Sequence, residues 1–218
     1  MIIRWLGHSC FRITSAEGKT LLTDPYDTEA YRGTLLYAPL DEAPDVVTVS
    51  HRHADHANTA ILKGSPEVVE ARATQFVAGF SIRGISTYHD EQQGDARGDN
   101  TAFRIIADGV SVCHLGDLGH ELSQARVEQI GEVDVLLIPV GGYFTIDADQ
   151  ATRVMEQLGP AITIPMHFRN DRCLFDIAGV EPFLAGKAGV ERPGVSELEI
   201  SKENLPASPK IIVLEPYN

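Results

Sequence analysis

The stretch VVTVSHRHADHANTA, Val46 to Ala60, places three histidines and an aspartate within the six positions His51 to His56. The whole chain of 218 residues has eight histidines, so this concentration needs a cause. The run before it, DVVTVS (Asp45–Ser50), is apolar, β-branched and continuous, the pattern of a strand buried on both faces. A strand end is a rigid place from which to aim ligands. His51 and His53, two apart at the strand exit, can point the same way and share one ion. Asp55 and His56, at the start of what reads as a short helix with Asp55 as its N-cap, can reach a second ion beside it. Imidazole nitrogens and carboxylate oxygens suit zinc, with manganese and iron as the other metals such donors take. The plainer reading is a polar loop or a pH-sensitive patch, and it leaves the spacing unexplained.

Two ions need more ligands than these four. His89 ends the strand-like run GISTYHD, and His167 ends AITIPMH. Asp117 follows a strand in HLGDLGH, with Gly116 before it leaving room for close approach. A lone strand-end histidine is more often a satisfied core or surface residue, but here each candidate sits where an apolar strand stops. Active sites of layered α/β folds lie at such ends.

Around these residues the chain reads as one domain, residues 1–218. IIRWL, SCFRIT and KTLLT are early strands, and Asp24-Pro25 opens a loop from Tyr26 to Pro39. TAFRIIA and VSVCHLGD, joined by Asp108-Gly109, carry a two-residue hairpin signal. Later the pattern alternates: a helix at Ser123–Ile130, the strand DVLLIPV, and the helix DADQATRVMEQLG with Asp147 and Gln150 as a capping box. The strand AITIPMH follows, then a helix near Val180–Lys187 and the strands SELEIS and KIIVL.

A formal charge of −13 repels phosphate backbones, so no nucleic-acid partner is expected. The apolar runs are too short for a membrane span, and MIIRWLGHSCFRI lacks the features of a secretory signal. Three widely separated cysteines, Cys10, Cys113 and Cys173, form no disulfide framework. The expected location is the cytoplasm. The acidic surface permits a homo-oligomer without predicting one.

HRHADH resembles the HxHxDH signature of the metallo-β-lactamase superfamily. The remaining residues follow in that family's order: Asp24 at a strand end, the cluster, His89, Asp117 in a Gly-Asp pair, and His167. WLGHSCFRI and IPVGGYFTID extend the likeness, which includes the branch of zinc-dependent hydrolases with the ascorbate-6-phosphate lactonase-like group. The resemblance implies an α/β, four-layer αββα sandwich: two facing mixed sheets with helices outside and metals at one sheet edge. It implies that His51, His53 and His89 hold one of two divalent ions, with Asp55, His56 and His167 on the other and Asp117 bridging. Asp24 would orient a ligand from behind. Many members place the third histidine in a Gly-His-Thr turn, absent here, so His114 competes with His89. His89 is preferred because it precedes the Asp-Gly hairpin, and His114 otherwise reads as a strand residue packed within the sheet.

Two ions about 3.5–4 Å apart can hold a hydroxide that attacks a polarised bond, so no serine or cysteine nucleophile is needed. Asp55 could orient that hydroxide or take its proton. His8, His120 and Tyr143 are candidates to protonate the leaving group. Arg97 and Arg169 flank ligand segments and suit a small anionic substrate: an ester, a lactone or a phosphodiester. The alternative is that both arginines are solvated or paired with Asp99 and Asp171. Other functions open to such a chain are an iron-dependent oxidoreductase and a non-catalytic metal-binding protein on the same fold. Diiron members typically carry a carboxylate where His53 stands, which favours zinc. Substrate choice is expected in the loops Tyr26–Pro39 and Glu91–Asn100.

Overall fold

The computed structural model describes residues 1–31, 33–70 and 72–217. In chain order it has β1 (Ile2–Gly7), β2 (Cys10–Thr14), β3 (Thr20–Thr23), β4 (Val46–Thr48), β5 (Glu67–Val69), β6 (Thr74–Val77), β7 (Phe80–Tyr88), β8 (Asp99–Ala107) and β9 (Val110–His114). Then come α1 (Gln124–Ile130), β10 (Val135–Pro139), α2 (Ala148–Leu158), β11 (Ile162–Met166), α3 (Glu181–Leu184), β12 (Val190–Glu191), β13 (Glu197–Glu199) and β14 (Lys210–Ile212). One sheet has the order β13-β1-β2-β3-β4-β5 and the other β12-β14-β11-β10-β9-β8-β7-β6. Both are mixed: β3, β4 and β5 run parallel in the first, and β9, β10, β11, β14 and β12 in the second. The two facing mixed sheets form the α/β sandwich of the metallo-β-lactamase type, with helices outside the second sheet alone among the described residues.

Strand side chains alternate between faces, and the first sheet uses both. Ile3, Trp5, Phe11, Ile13, Leu21 and Val46 join Ile82, Phe103 and Ile105 of the second sheet in the main core. Each fully buried side chain of this size contributes about 1.5–3 kcal/mol. The alternate residues Leu6, Cys10, Leu22 and Val47 pack instead with Tyr26, Leu35, Tyr37, Leu40, Cys173 and Ile177. The outer face of the first sheet is therefore covered by loop segments and a 3-10 turn at Thr59–Ile61, among the described residues. Helices α1 and α2 belong to the second sheet, packing against β7 and β10.

Local chemistry explains most boundaries. Helix α2 begins at the Asp147–Gln150 capping box and ends at Gly159 in the left-handed region, with Ala151, Val154 and Leu158 buried along one face. Asp108 and Gly109 both have positive φ, 53° and 74°, as a tight hairpin with right-twisted strands requires.

Three expectations need correction. After the histidine cluster there is a turn and then the short 3-10 helix, not an α-helix. Asp55 does not cap it, because its Oδ2 lies 3.1 Å from His8 Nε2. The helix near Val180–Lys187 is a single turn, Glu181–Leu184, since Ala185 turns to ψ 125° and Gly186 has φ 71°. Strands β5, β6 and β12 went unread; the β6–β7 turn, Ala78-Gly79, uses positive φ at both residues without an Asn or Asp to signal it. No helix among the described residues is long and apolar enough to cross a membrane.

Candidate metal centre

The C-terminal ends of β3, β4, β7, β9 and β11 meet at one edge of the sandwich, and each delivers one or more polar side chains there. Asp24 follows β3, His51 to His56 follow β4, His89 follows β7, Asp117 follows β9 and His167 follows β11. His8, in the turn between β1 and β2, completes the group. His8, Asp24 and His167 have φ of 51°, 38° and 50°, a backbone region that is costly for residues other than glycine and that clusters at functional sites.

Four imidazoles converge on one carboxylate oxygen. The Nε2 atoms of His56, His89 and His167 each lie 3.3 Å from Asp117 Oδ2, and His51 Nε2 lies 3.9 Å away. Donor atoms that share one tetrahedral ion at about 2.0–2.2 Å are themselves about 3.3–3.6 Å apart. Five buried atoms in the group, His8 Nδ1, His56 Nε2, His89 Nδ1, Asp117 Oδ1 and His167 Nδ1, have no hydrogen-bond partner among the described residues. Orphaned buried polar atoms are costly, so the donor set fits a cation. The donors fall into two clusters, His51 with His53 and His89, and His8 with Asp55, His56 and His167, and Asp24 groups with His51 and His56 across them.

The surroundings fix the tautomers. Asp24 accepts from Ser50 N at 2.8 Å and Ser50 Oγ at 2.5 Å, and its Oδ2 lies 3.0 Å from His56 Nδ1. Ser50 Oγ in turn lies 3.0 Å from His51 Nδ1. With Nδ1 of both rings donating backwards, Nε2 of both is aimed into the site. Asp117 is held by its backbone N–H, which donates to Asn100 Oδ1 at 3.0 Å, while Asn100 Nδ2 donates to Thr87 Oγ1 and Leu115 O. Gly116 has φ 55°, and a Cβ there would stand 2.5 Å from both Ser50 Cβ and Asn100 Oδ1. The close approach read from the sequence is real.

Protonation follows burial and neighbours. Burial, with the His56 ring adding, lowers His51 to about 3, and burial with His167 lowers His8 to about 4. Burial opposes the charge on Asp117 and Asp55, yet the rings of His167 and His56 beside the first, and His56 and His8 beside the second, hold both carboxyls below their usual range. Burial likewise opposes a charged His56, but Asp117 and Asp55 outweigh it and raise that ring well above the ordinary value. The spot between those carboxylates is where a cation is held best. Neutral rings at His8 and His51 and ionised carboxylates are the states a divalent ion requires, and such an ion would stand in for the proton that His56 otherwise carries.

Other sequence candidates land in different places. His114 is buried near Asp24 with Nε2 2.9 Å from Ser9 O; the place beside His51 and His53 belongs to His89. His120 is not brought to the centre. Its Nε2 accepts from Tyr88 N at 3.1 Å and its Nδ1 donates to Glu121 O at 2.7 Å, beside a separate depression. Tyr143 is 71% exposed, and Arg169 is exposed beyond β11; neither lines the cavity over the donors. Arg97 does. Asp99 is paired with Arg72 at 2.8 Å, and no carboxylate pairs with Arg97 among the described residues.

Sequence reading passed over four lining residues and one organiser. Tyr31, Ala96, Phe144 and Phe175 line the cavity with Arg97, His53, Asp55, His89, Asp117 and His167. Asp90 organises the loop carrying Ala96 and Arg97: its carboxylate accepts from the backbone N–H groups of Gln92, Gly94, Ala96 and Arg97 at 2.7–3.0 Å. The only available signal was the pair of loops marked for substrate choice, where Tyr31, Ala96 and Arg97 lie.

Residues 2–167 match the model of the Beta-lactamase superfamily domain. A UPF0173 metal-dependent hydrolase of Hyperthermus butylicus is 28% identical over 98% of this chain and 96% of its own length. Another, from Methanoculleus marisnigri, is 31% identical over 77% of this chain and 81% of its own. Among solved structures, one from Thermotoga maritima, described as a proposed Zn-dependent hydrolase of the metallo-beta-lactamase superfamily, is 38% identical with a TM-score of 0.81 and covers 98% of both chains.

Proposed function

Because this chain belongs to the beta-lactamase superfamily of metal-dependent hydrolases, we propose that it uses two divalent ions, zinc by choice, to hydrolyse a small anionic ester, lactone or phosphodiester. His51, His53 and His89 would hold one ion and Asp55, His56 and His167 the other, with the Asp117 carboxylate available to both. The observation that carries the reading is the convergence of four Nε2 atoms on Asp117 Oδ2. Nitrogen-rich donors with two carboxylates favour zinc over magnesium or calcium.

Such ions supply an activated water and polarise the bond to be cleaved. The protein's part is orientation. Asp24 and Ser50 keep His56 and His51 turned toward the site, and His8 Nε2 holds Asp55 Oδ2 at 3.1 Å, so Asp55 has one fixed orientation. His8 is a positioning residue rather than a donor to the leaving group, since it does not line the cavity. Tyr31 does, and its phenol keeps its proton because burial and the nearby Asp55 both raise it. Arg97 meets the anionic group. The reaction is assigned to the cytoplasm, with no nucleic-acid partner.

The test is elemental analysis of the purified protein and of His56→Ala, with hydrolysis of small esters, lactones and phosphodiesters before and after chelation. Near two zinc ions per chain, fewer in the variant, with turnover lost on chelation and restored by zinc, is the expected result. Failure to take up metal after reconstitution sinks the reading, and iron with oxygen consumption replaces it by an oxidoreductase.

A further inference from the structure

The cavity above the donors has a volume of about 270 Å³, small for a ligand pocket, and its walls are chemically divided. On one side Phe175 stands edge-on to Tyr31 at 5.5 Å and to Phe144 at 6.0 Å, and its ring lies 5.7 Å from His8. These three rings make a continuous apolar wall on the side of His8 and Asp55, and none of them is fully buried. On the other side Arg97 lies with His53 and His51 around an adjoining depression. Its guanidinium stands over the Phe144 ring, 5.6 Å from the centroid, and Asp90 fixes its backbone. In a chain of charge −13, an arginine with no carboxylate partner among the described residues, braced on aromatic rings at the lip of a cavity, is placed for an anion from outside.

Resting on the hydrolase reading above, we propose that the substrate is a small anion bearing one flat apolar group, aryl in the simplest case, beside the bond to be cleaved. The flat group lies against Phe175, Phe144 and Tyr31, where an inserted ring finds edge and face contacts. The anionic group lies at Arg97, which offers a planar fork of donors. The donors His53, Asp55, His89, Asp117 and His167 line the same cavity. A substrate of equal charge without such a group would meet the arginine and leave the aromatic wall wet.

Phenylphosphonate and methylphosphonate carry the same dianion and differ in the flat group alone. Calorimetric titration of the metal-loaded protein is expected to give about tenfold or greater preference for the phenyl compound. Phe175→Leu is expected to cut that ratio severalfold while leaving methylphosphonate affinity unchanged. Tyr31→Leu, at an exposed position, cuts the ratio likewise if Phe175→Leu fails to fold. Arg97→Gln weakens both compounds alike. Equal affinity of the two phosphonates, no binding of either, or a ratio that neither aromatic substitution moves overturns the assignment. Metal content measured on the same samples separates the failures. Loaded protein that treats the phosphonates alike loses the aryl assignment only; protein that takes up no ion loses the hydrolase reading with it.

Discussion

Asp24 Oδ2 lies 3.0 Å from His56 Nδ1, and both side chains are fully buried. The same carboxylate takes two donors from Ser50, whose hydroxyl reaches His51. One buried carboxylate thus sets the ring orientation in both donor clusters. Asp24→Asn removes an acceptor and places an amide where His56 needs one. Metal affinity is expected to fall by about 10–100-fold, read by competition with a chelator. An affinity equal to that of the unmodified protein would show that Asp24 has no such role.

Gly116 makes a sharper case, because the substitution adds a single carbon. Gly116→Ala drives a methyl group against Ser50 and Asn100 at a positive φ. A cost of about 1–3 kcal/mol is expected, measured by urea unfolding, with weakened metal uptake because Ser50 and Asn100 hold His51 and Asp117. Unchanged stability would mean that the backbone yields freely here.

Asp90 binds no substrate, yet four backbone N–H groups depend on it. Asp90→Ala strands them, and a loss of about 2 kcal/mol is expected. Turnover should show a raised KM with a smaller change in kcat, because Arg97 loses its fixed place. Asp90→Asn keeps one of the two acceptor oxygens and should fall between. A fall in kcat at constant KM would contradict the positioning role.

Away from the centre, Asp45 links the ends of β3 and β4. Its carboxyl is held below the ordinary range by Lys19 Nζ at 2.9 Å and by the Thr20 N–H at 2.9 Å. A depressed carboxyl contributes stability above its unfolded pKa, about 3.9, and that contribution is lost as pH falls through the folded value. The thermal midpoint of Asp45→Asn should therefore converge on that of the unmodified protein as pH drops below about 4. A constant gap down to acid pH would assign the difference to packing.

Legibility in the sequence followed from how local each signal is. The β-branched run before His51, the Asp108-Gly109 turn and the Asp147–Gln150 box are short-range patterns, and the matching elements are where they imply. The pairing of strand ends that gathers Asp24, His89, Asp117 and His167 is long-range, and only the order of motifs hinted at it. His120 shows the opposite failure. It lies three residues from Asp117 in sequence, but its ring turns away to bond Tyr88 and Glu121. Phe144 and Phe175 carry no chemistry that a sequence pattern marks, and their meaning appears only where the cavity forms. The outer layer of the first sheet was unreadable for a similar reason: Leu35, Tyr37 and Leu40 lack a period because a loop, not a helix, presents them.

That loop layer ties upkeep and choice into one strip of chain. Tyr26, Leu35, Tyr37 and Leu40 seal Leu22 and Val47 from water, while Tyr31, between them, reaches the cavity. Residues 27–31 can vary and retune what the cleft admits while the seal stays closed. The anchors on either side cannot, since losing Leu35 or Tyr37 uncovers the sheet that aims His51 and Asp24. A lineage changing its diet would be expected to rewrite the tip of this strip and spare its roots.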